Sequence, residues 1–370
     1  WWANDSRRTY FVDVTRDYKA VRVVEFDTES GATKVLFEET TKTHINLMLN
    51  NDECPELVPL PETGELIWFS ERSGWSHLYL YDLETGNLKN TITQGEWLVR
   101  NIVSVDEARR EVFVQTAARV AERDPYYRDL CRIHLDTGKM TELISSDHEY
   151  WAVTPKNLGT MYANVVGRDV GASSAVAPSG NFAVINRSRA DGVPTSILVD
   201  RDGNHILELE TADISALPEN WQWPEPVKLV AADGVTDIYG LVFRPSDFSS
   251  EGSYPVISSI FNVPDLPNVP KGSFTNGGSY GVQYLDAAAL AELGFIVVQI
   301  DGRGTPFRGK TFHDESYGCI ESASNIEDHI AGIRQMAECR PYMDLERVGI
   351  TSHPLGGGGV INALLHHADF

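Results

Sequence analysis

The sequence is short of cysteine, of basic residues and of long apolar runs, and each shortage excludes something. Four cysteines (Cys54, Cys131, Cys319, Cys339) in 370 residues, with no C-x-x-C pair among them, are too few and too scattered for a disulfide scaffold. Cys319 and Cys339 bracket a predicted helix that holds them too far apart to bridge, and all four read as buried or incidental thiols. Lys and Arg number 31 against 53 Asp and Glu, a net charge of −22. That balance argues against nucleic acid or an anionic membrane as the main partner, since like charge repels both. No stretch reaches the roughly 18 apolar residues a transmembrane helix needs. His366, His367 and Asp369 crowd the C-terminus without metal-ligand spacing. The glycines from Gly356 to Gly359 lack both the Lys-Ser/Thr of a P-loop and the G-x-G-x-x-G fingerprint. No metal and no cofactor is expected. The chain opens Trp1-Trp2-Ala3 without Met or leader and reads as cut from something longer, so its compartment is left open.

What is present is a core: 42% hydrophobic and 10% aromatic residues exclude disorder. Residues 1–225 are dense in short β-type runs, among them Tyr10–Val14, Val21–Phe26, Leu66–Phe69, His77–Tyr81, Val112–Val114 and Phe182–Ile185. Asp-to-Gly turns recur at Asp27–Gly31, Asp82–Gly86, Asp136–Gly138 and Asp200–Gly203, their aspartates 55, 54 and 64 residues apart. Each turn has two strand-like runs before it and another after it. A unit of about four short strands predicts propeller blades, about four of them, whereas an ordinary β-sandwich has turns every 8–12 residues without the longer period. Glu38-Glu39 reads as a solvated strand end, and Trp75, Tyr79 and Tyr81 as blade core.

After Trp221–Pro226 the pattern changes. Val227–Ala231 and Ile238–Phe243 predict a hairpin around Asp233-Gly234, and strands then alternate with helices. Tyr254–Phe261 is a strand, Tyr284–Leu293 a helix, and Phe295–Ile300 an unbroken apolar strand suited to burial on both faces. Ser324-Asn325-Ile326-Glu327 has the capping-box pattern and opens a helix with Ile326, Ile330 and Ile333 on one face, stopped at Arg340-Pro341. Arg347–Thr351 is the last strand, leading through Ser352-His353-Pro354-Leu355-Gly356-Gly357 into a final helix. Alternating β and α predicts a parallel three-layer α/β domain over 226–370. A strand, a sharp turn and a helix is also where an α/β-hydrolase carries its G-x-S-x-G nucleophile elbow.

Several of these segments together resemble the dipeptidyl peptidase IV branch of the prolyl oligopeptidase family of serine peptidases. They are Gly74–Asp82, Asp124–Arg128, Tyr254–Ile257, Asp301-Gly302-Arg303-Gly304, Asp328–Ile330 and Arg347–Ile350 with the glycines after it. The resemblance implies a β-propeller followed by the N-terminal part of an α/β-hydrolase domain. It also implies an activity that cleaves short peptides, often after proline or alanine, through an acyl-enzyme, and a homodimeric assembly. The departures concern the site. With Gly356 and Gly357 aligned to the closing glycines, Ser352 takes the first glycine position and Pro354 the nucleophile position. A frame with Ser352 as nucleophile would place Ile350 and Pro354 at the two positions that must be small. Proline has no attacking atom, and its fixed φ near −65° does not suit a strained elbow. The family's oxyanion tyrosine aligns with Phe261, which cannot donate, and a neighbouring glycine with Val263. Leu355 remains as a backbone-amide donor to an oxyanion. His353 stands where the family often has His and reads as structural. In α/β-hydrolases the acid and the histidine follow the serine. With the chain ending at Phe370, about one helix past the elbow, neither is expected within it, nor is the family's glutamate pair. The sequence therefore leaves open a serine exopeptidase homologue or fragment, inactive as written, and a non-catalytic peptide- or protein-binding module.

Overall fold

The computed structural model describes residues 1–46, 57–152, 174–261, 266–274, 281–319, 325–352 and 356–367. Four antiparallel meanders come first. Sheet 1 holds β1 (Arg8–Val14), β2 (Ala20–Asp27) and β3 (Thr33–Thr40). Sheet 2 holds β4 (Leu57–Leu60), β5 (Glu65–Ser70), β6 (His77–Asp82) and β7 (Leu88–Thr91). Sheet 3 holds β8 (Leu98–Asp106), β9 (Glu111–Ala117), β10 (Asp129–His134) and β11 (Met140–Ile144). Sheet 4 holds β12 (Glu149–Trp151), β13 (Phe182–Ser188), β14 (Thr195–Asp200) and β15 (His205–Thr211).

Sheets stack face to face because inner strands such as β5 are apolar on both faces, with Leu66 and Trp68 on one side and Ile67 and Phe69 on the other. Tyr10, Val21 and Val23 of sheet 1 meet Leu66, Trp68 and Tyr79 of sheet 2, and Phe113 and Leu130 of sheet 3 meet Ile185 and Ile197 of sheet 4. The repeated Asp-to-Gly turns serve this stacking as well as the hairpins. Gly31, Gly86, Gly138 and Gly203 all have positive φ (73°, 77°, 65° and 85°), which a Cβ disfavours. Three of them also abut the outer strand region of the preceding sheet. A Cβ on Gly86 would lie 2.1 Å from the Leu36 carbonyl oxygen, one on Gly203 2.1 Å from that of Leu143, and one on Gly138 3.0 Å from that of Ile92. Gly31, in the first sheet, meets nothing within 4 Å.

The remaining strands form one five-stranded sheet in the order β16-β17-β19-β18-β20, with β16 (Glu225–Val230), β17 (Asp237–Phe243), β18 (Tyr254–Ile260), β19 (Ile296–Asp301) and β20 (Met343–Ser352). The hairpin and the parallel strands read from the sequence join in one mixed sheet. The tight Asp233-Gly234 turn forces β16 and β17 antiparallel, β17 is antiparallel to β19, and only β19, β18 and β20 run parallel. Three layers are present. Val297 faces helix α1 (Gly281–Ala291) through Tyr284 and Ala287. After the one-turn helix α2 (Lys310–His313), α3 (Ile326–Glu338) covers the other face, where Ile296, Val298 and Ile300 pack on Ile333 and Met336. Helix α4 (Gly357–His366) follows β20.

The capping box read over Ser324–Glu327 turns on Ser324, which lies outside the described residues. Asn325 caps α3 without a side-chain bond, at φ 37°, and the acidic side chain that the first turn uses is Asp328, turned to a partner outside the helix. Glu39 is no solvated strand end. Its carboxylate accepts from Trp68 Nε1 (3.1 Å), Ser70 Oγ (2.6 Å) and Arg72 Nη2 (2.7 Å). Of the thiols, Cys131 is buried, Cys319 and Cys339 are exposed, and Cys54 lies outside the described residues.

Candidate functional site

The strand ends locate the site. β18 and β20 are parallel neighbours with Ser259 opposite Thr351 and Ile260 opposite Ser352. Phe261, the next residue of its strand, therefore leaves the sheet beside the chain that leaves Ser352. Asp301 closes β19 on the other side of β18. Three C-terminal strand ends at one edge of a sheet form the crevice where open α/β folds bind ligands. Gly356 sits before α4 at φ −83°. A Cβ on Gly357 or Gly358 would meet nothing within 4 Å, so packing does not require these two residues to be small. His353, Pro354, Leu355 and Val263 lie outside the described residues.

Above this edge stands sheet 3, and charged groups fill the boundary. Lys271 Nζ lies 2.9 Å from Asp124 Oδ2, on the connection between β9 and β10, and 3.4 Å from Asp301 Oδ2. The same ammonium is 4.5 Å from the centre of the Tyr126 ring, whose hydroxyl shares a 3.0 Å hydrogen bond with Thr305. Asp301 Oδ1 accepts the Asn268 and Val269 amides at 2.6 and 3.0 Å. Burial pushes the Asp301 carboxyl up to about 6, although Lys271 and the two amides pull it down. Burial pulls the Lys271 ammonium down, but the two aspartates outweigh it and hold it above the ordinary lysine value.

A second cluster joins sheet 2 to the segment after β19. The Lys310 amide donates to the Gly74 carbonyl (2.8 Å), and its ammonium reaches the His44 carbonyl (2.7 Å) and Asp314 (3.0 Å). Trp75 lies against Gly309 here, which corrects its expected place in a blade core, whereas Tyr79 and Tyr81 do lie in that core. Nearby, burial pushes the Glu71 carboxyl up to about 7, and Ser76 Oγ donates to it at 3.2 Å. Inside the α/β half, Arg303 clamps the start of α3, with its amide 2.8 Å and its Nη2 2.9 Å from the Asp328 carboxylate, while the Ala232 amide donates to the same group. Gly74, Asp124, Tyr126, Arg303 and Asp328 were singled out in sequence as motif residues. In space the first three tie the two halves together, and the last two lock helix α3 to the crevice.

Sequence reasoning missed Lys271, Phe307 and Ser258 and took Glu39 for solvated, while His329 lies in the Asp328–Ile330 segment without its pairing to Ser258 being foreseen. Ser258 Oγ and His329 Nδ1 are buried 3.1 Å apart beside an apolar cavity of about 180 Å³ under α4. Each gains its role from a partner far along the chain. Among the described residues, no group of three or more His, Cys, Asp or Glu could hold a metal ion, and no helix is long and apolar enough to cross a membrane.

Comparison with known proteins agrees with this architecture. The description "Dipeptidyl peptidase IV (DPP IV) N-terminal region" matches residues 1–166 and "Prolyl oligopeptidase family" matches residues 280–370. Dipeptidyl peptidase 8 of Homo sapiens is 26% identical over 381 residues, covering 94% of this chain and 39% of its own length. The Aspergillus flavus protein named "Probable dipeptidyl peptidase 4" is 25% identical over 365 residues, covering 96% and 42%. The solved structure of Porphyromonas gingivalis dipeptidyl peptidase 4 superposes with a TM-score of 0.73 at 22% identity, over 98% of this chain and 46% of that one. The chain spans about two fifths of the length of the two curated relatives. The structural likeness shows the fold, a propeller region followed by a hydrolase-type α/β domain.

Proposed function

The chain belongs to the dipeptidyl peptidase IV branch of the prolyl oligopeptidase family, and from that premise we propose that it is a homologue or fragment of a serine exopeptidase that receives short peptides but, as written, does not cleave them. In this reading residues 1–225 supply four propeller blades and residues 226–370 the first part of the catalytic domain. The peptide enters between the propeller and the strand ends of the α/β half. Its carbonyl carbon would meet the turn after Ser352, where a serine would attack. Pro354 offers no hydroxyl there, and Leu355 contributes only its backbone amide to the oxyanion. The observation that carries the reading is the pairing of Ile260 with Ser352. That pairing supports taking Phe261 as the residue at the oxyanion position of the family, where it brings a phenyl ring in place of a phenol. Losing one such donor typically costs about 2.7–4 kcal/mol of transition-state stabilisation.

The test is a fluorophosphonate probe on the purified 370-residue chain. No label is expected. Stoichiometric labelling would refute the reading, and tandem mass spectrometry of the labelled peptide would identify the nucleophile. The second reading, a binding module for peptides or proteins without turnover, is favoured by the joint loss of the nucleophile at Pro354 and the oxyanion phenol at Phe261. It predicts saturable calorimetric binding of an Xaa-Pro peptide that Phe261→Tyr leaves without hydrolysis.

A further inference from the structure

We propose that Lys271 is a positioning residue that fixes the propeller region over the crevice, acting as a proton-sensitive latch with Asp124 on one side and Asp301 on the other. The geometry is that of a clamp. Lys271 belongs to the segment that follows β18, Asp124 to sheet 3, and Asp301 to the end of β19. Their side chains are 10%, 18% and 0% exposed, so Asp301, which is fully buried, depends most on Lys271 as a partner. The other charged or titratable groups facing the cluster are Tyr126 from sheet 3, Tyr239 from β17 and Arg308 beyond β19. A buried charge persists only when paired, so Lys271 is what makes the ionised Asp301 tolerable.

The sign of the pH dependence follows. Burial holds the Asp301 carboxyl near 6 in the closed arrangement, and opening to water returns it to its ordinary 3.8. The closed form therefore binds the proton more tightly: it is most favoured below 3.8, loses that advantage as pH rises towards 6, and changes no further above.

Amide hydrogen exchange reads this out on both sides of the boundary, because the Asn268 and Val269 amides donate to Asp301 and the Tyr127 amide closes the turn on the Asp124 carbonyl within the β9–β10 connection. In the wild-type chain, protection factors at Asn268 and Val269 should fall by up to about a hundredfold between pH 4 and pH 7. Asp301→Asn keeps an acceptor and should flatten that profile. Lys271→Met should lower protection at pH 7 by about tenfold or more, at Tyr127 as well as at Asn268 and Val269. The double variant Lys271→Met/Asp301→Asn, with no unpaired charge left at Asp301, should recover most of the protection. Wild-type protection in Lys271→Met, or a wild-type pH profile in Asp301→Asn, would overturn the proposal. If Lys271→Met does not fold, the double variant and Asp301→Asn still decide it.

Discussion

At the scale of single residues, the chain hides ionisable groups where a solvent-exposed reading had been natural. Glu71 follows a fully buried strand and is itself 9% exposed, with Ser76 Oγ as a donor to one oxygen. Burial raises its carboxyl to about 7 from 4.5. A group raised in the folded state stabilises the fold less as pH climbs from its unfolded value through its folded one. Glu71→Gln keeps the shape and an acceptor for Ser76 but never ionises. It should raise stability by roughly 2–3 kcal/mol at pH 8 and change little at pH 4.5, as measured by thermal midpoints across that range. A wild-type-to-variant gap that stays constant with pH would show that Glu71 is not titrating inside the fold. Nothing in Phe69-Ser70-Glu71-Arg72 announces this, because the burial comes from segments far along the chain. The same holds for Glu39, whose three donors sit 29 to 33 residues away.

At the scale of elements, legibility follows the range of the cause. The strands and the Asp-to-Gly turns could be read because alternation, β-branching and positive-φ glycine act over a few residues. The sheet directions were less legible. The hairpin that opens the second half is legible in its Asp233-Gly234 turn and the parallel core in the β–α alternation, but the antiparallel pairing of β17 with β19 is set by partners far along the chain. The repeated glycines were read as hairpin turns, and the structure adds a second demand, contact with the preceding sheet. The two demands separate experimentally. Gly31→Ala meets only the φ penalty and should cost about 1–2 kcal/mol. Gly86→Ala adds a backbone collision with Leu36 and should cost roughly 4 kcal/mol or more, read from the shift of the urea midpoint. Equal costs at the two positions would mean that the close approach to Leu36 imposes nothing.

At the scale of the whole molecule, the question is whether the propeller region and the α/β half melt together. Their boundary is not only polar. Tyr239 and Phe307, from the second half, belong to the same apolar cluster as Ile67, Leu80, Val112 and Ile133 of sheets 2 and 3. Phe307 is 5% exposed, adopts φ 69°, and lies with its ring centre 3.4 Å from the guanidinium carbon of Arg100, which is itself buried. A non-glycine residue in the left-handed region persists only where its surroundings over-determine it, so the contact is strong enough to hold the strain. One continuous core across two regions predicts one cooperative transition, since neither half can lose its packing without exposing the other's. Phe307→Ala should remove about 3–5 kcal/mol through the cavity left behind. It also strips the buried Arg100 guanidinium of its aromatic cover, so the loss falls on the boundary rather than on either core. Differential scanning calorimetry should then resolve the single wild-type peak into two, with the α/β half retaining its own cluster of Val256, Ile296, Val298 and Ile333. Two peaks already present in the wild-type chain would mean that the shared cluster does not couple the halves. A single, merely shifted peak in Phe307→Ala would assign the coupling to the polar contacts around Lys271 and Lys310 instead.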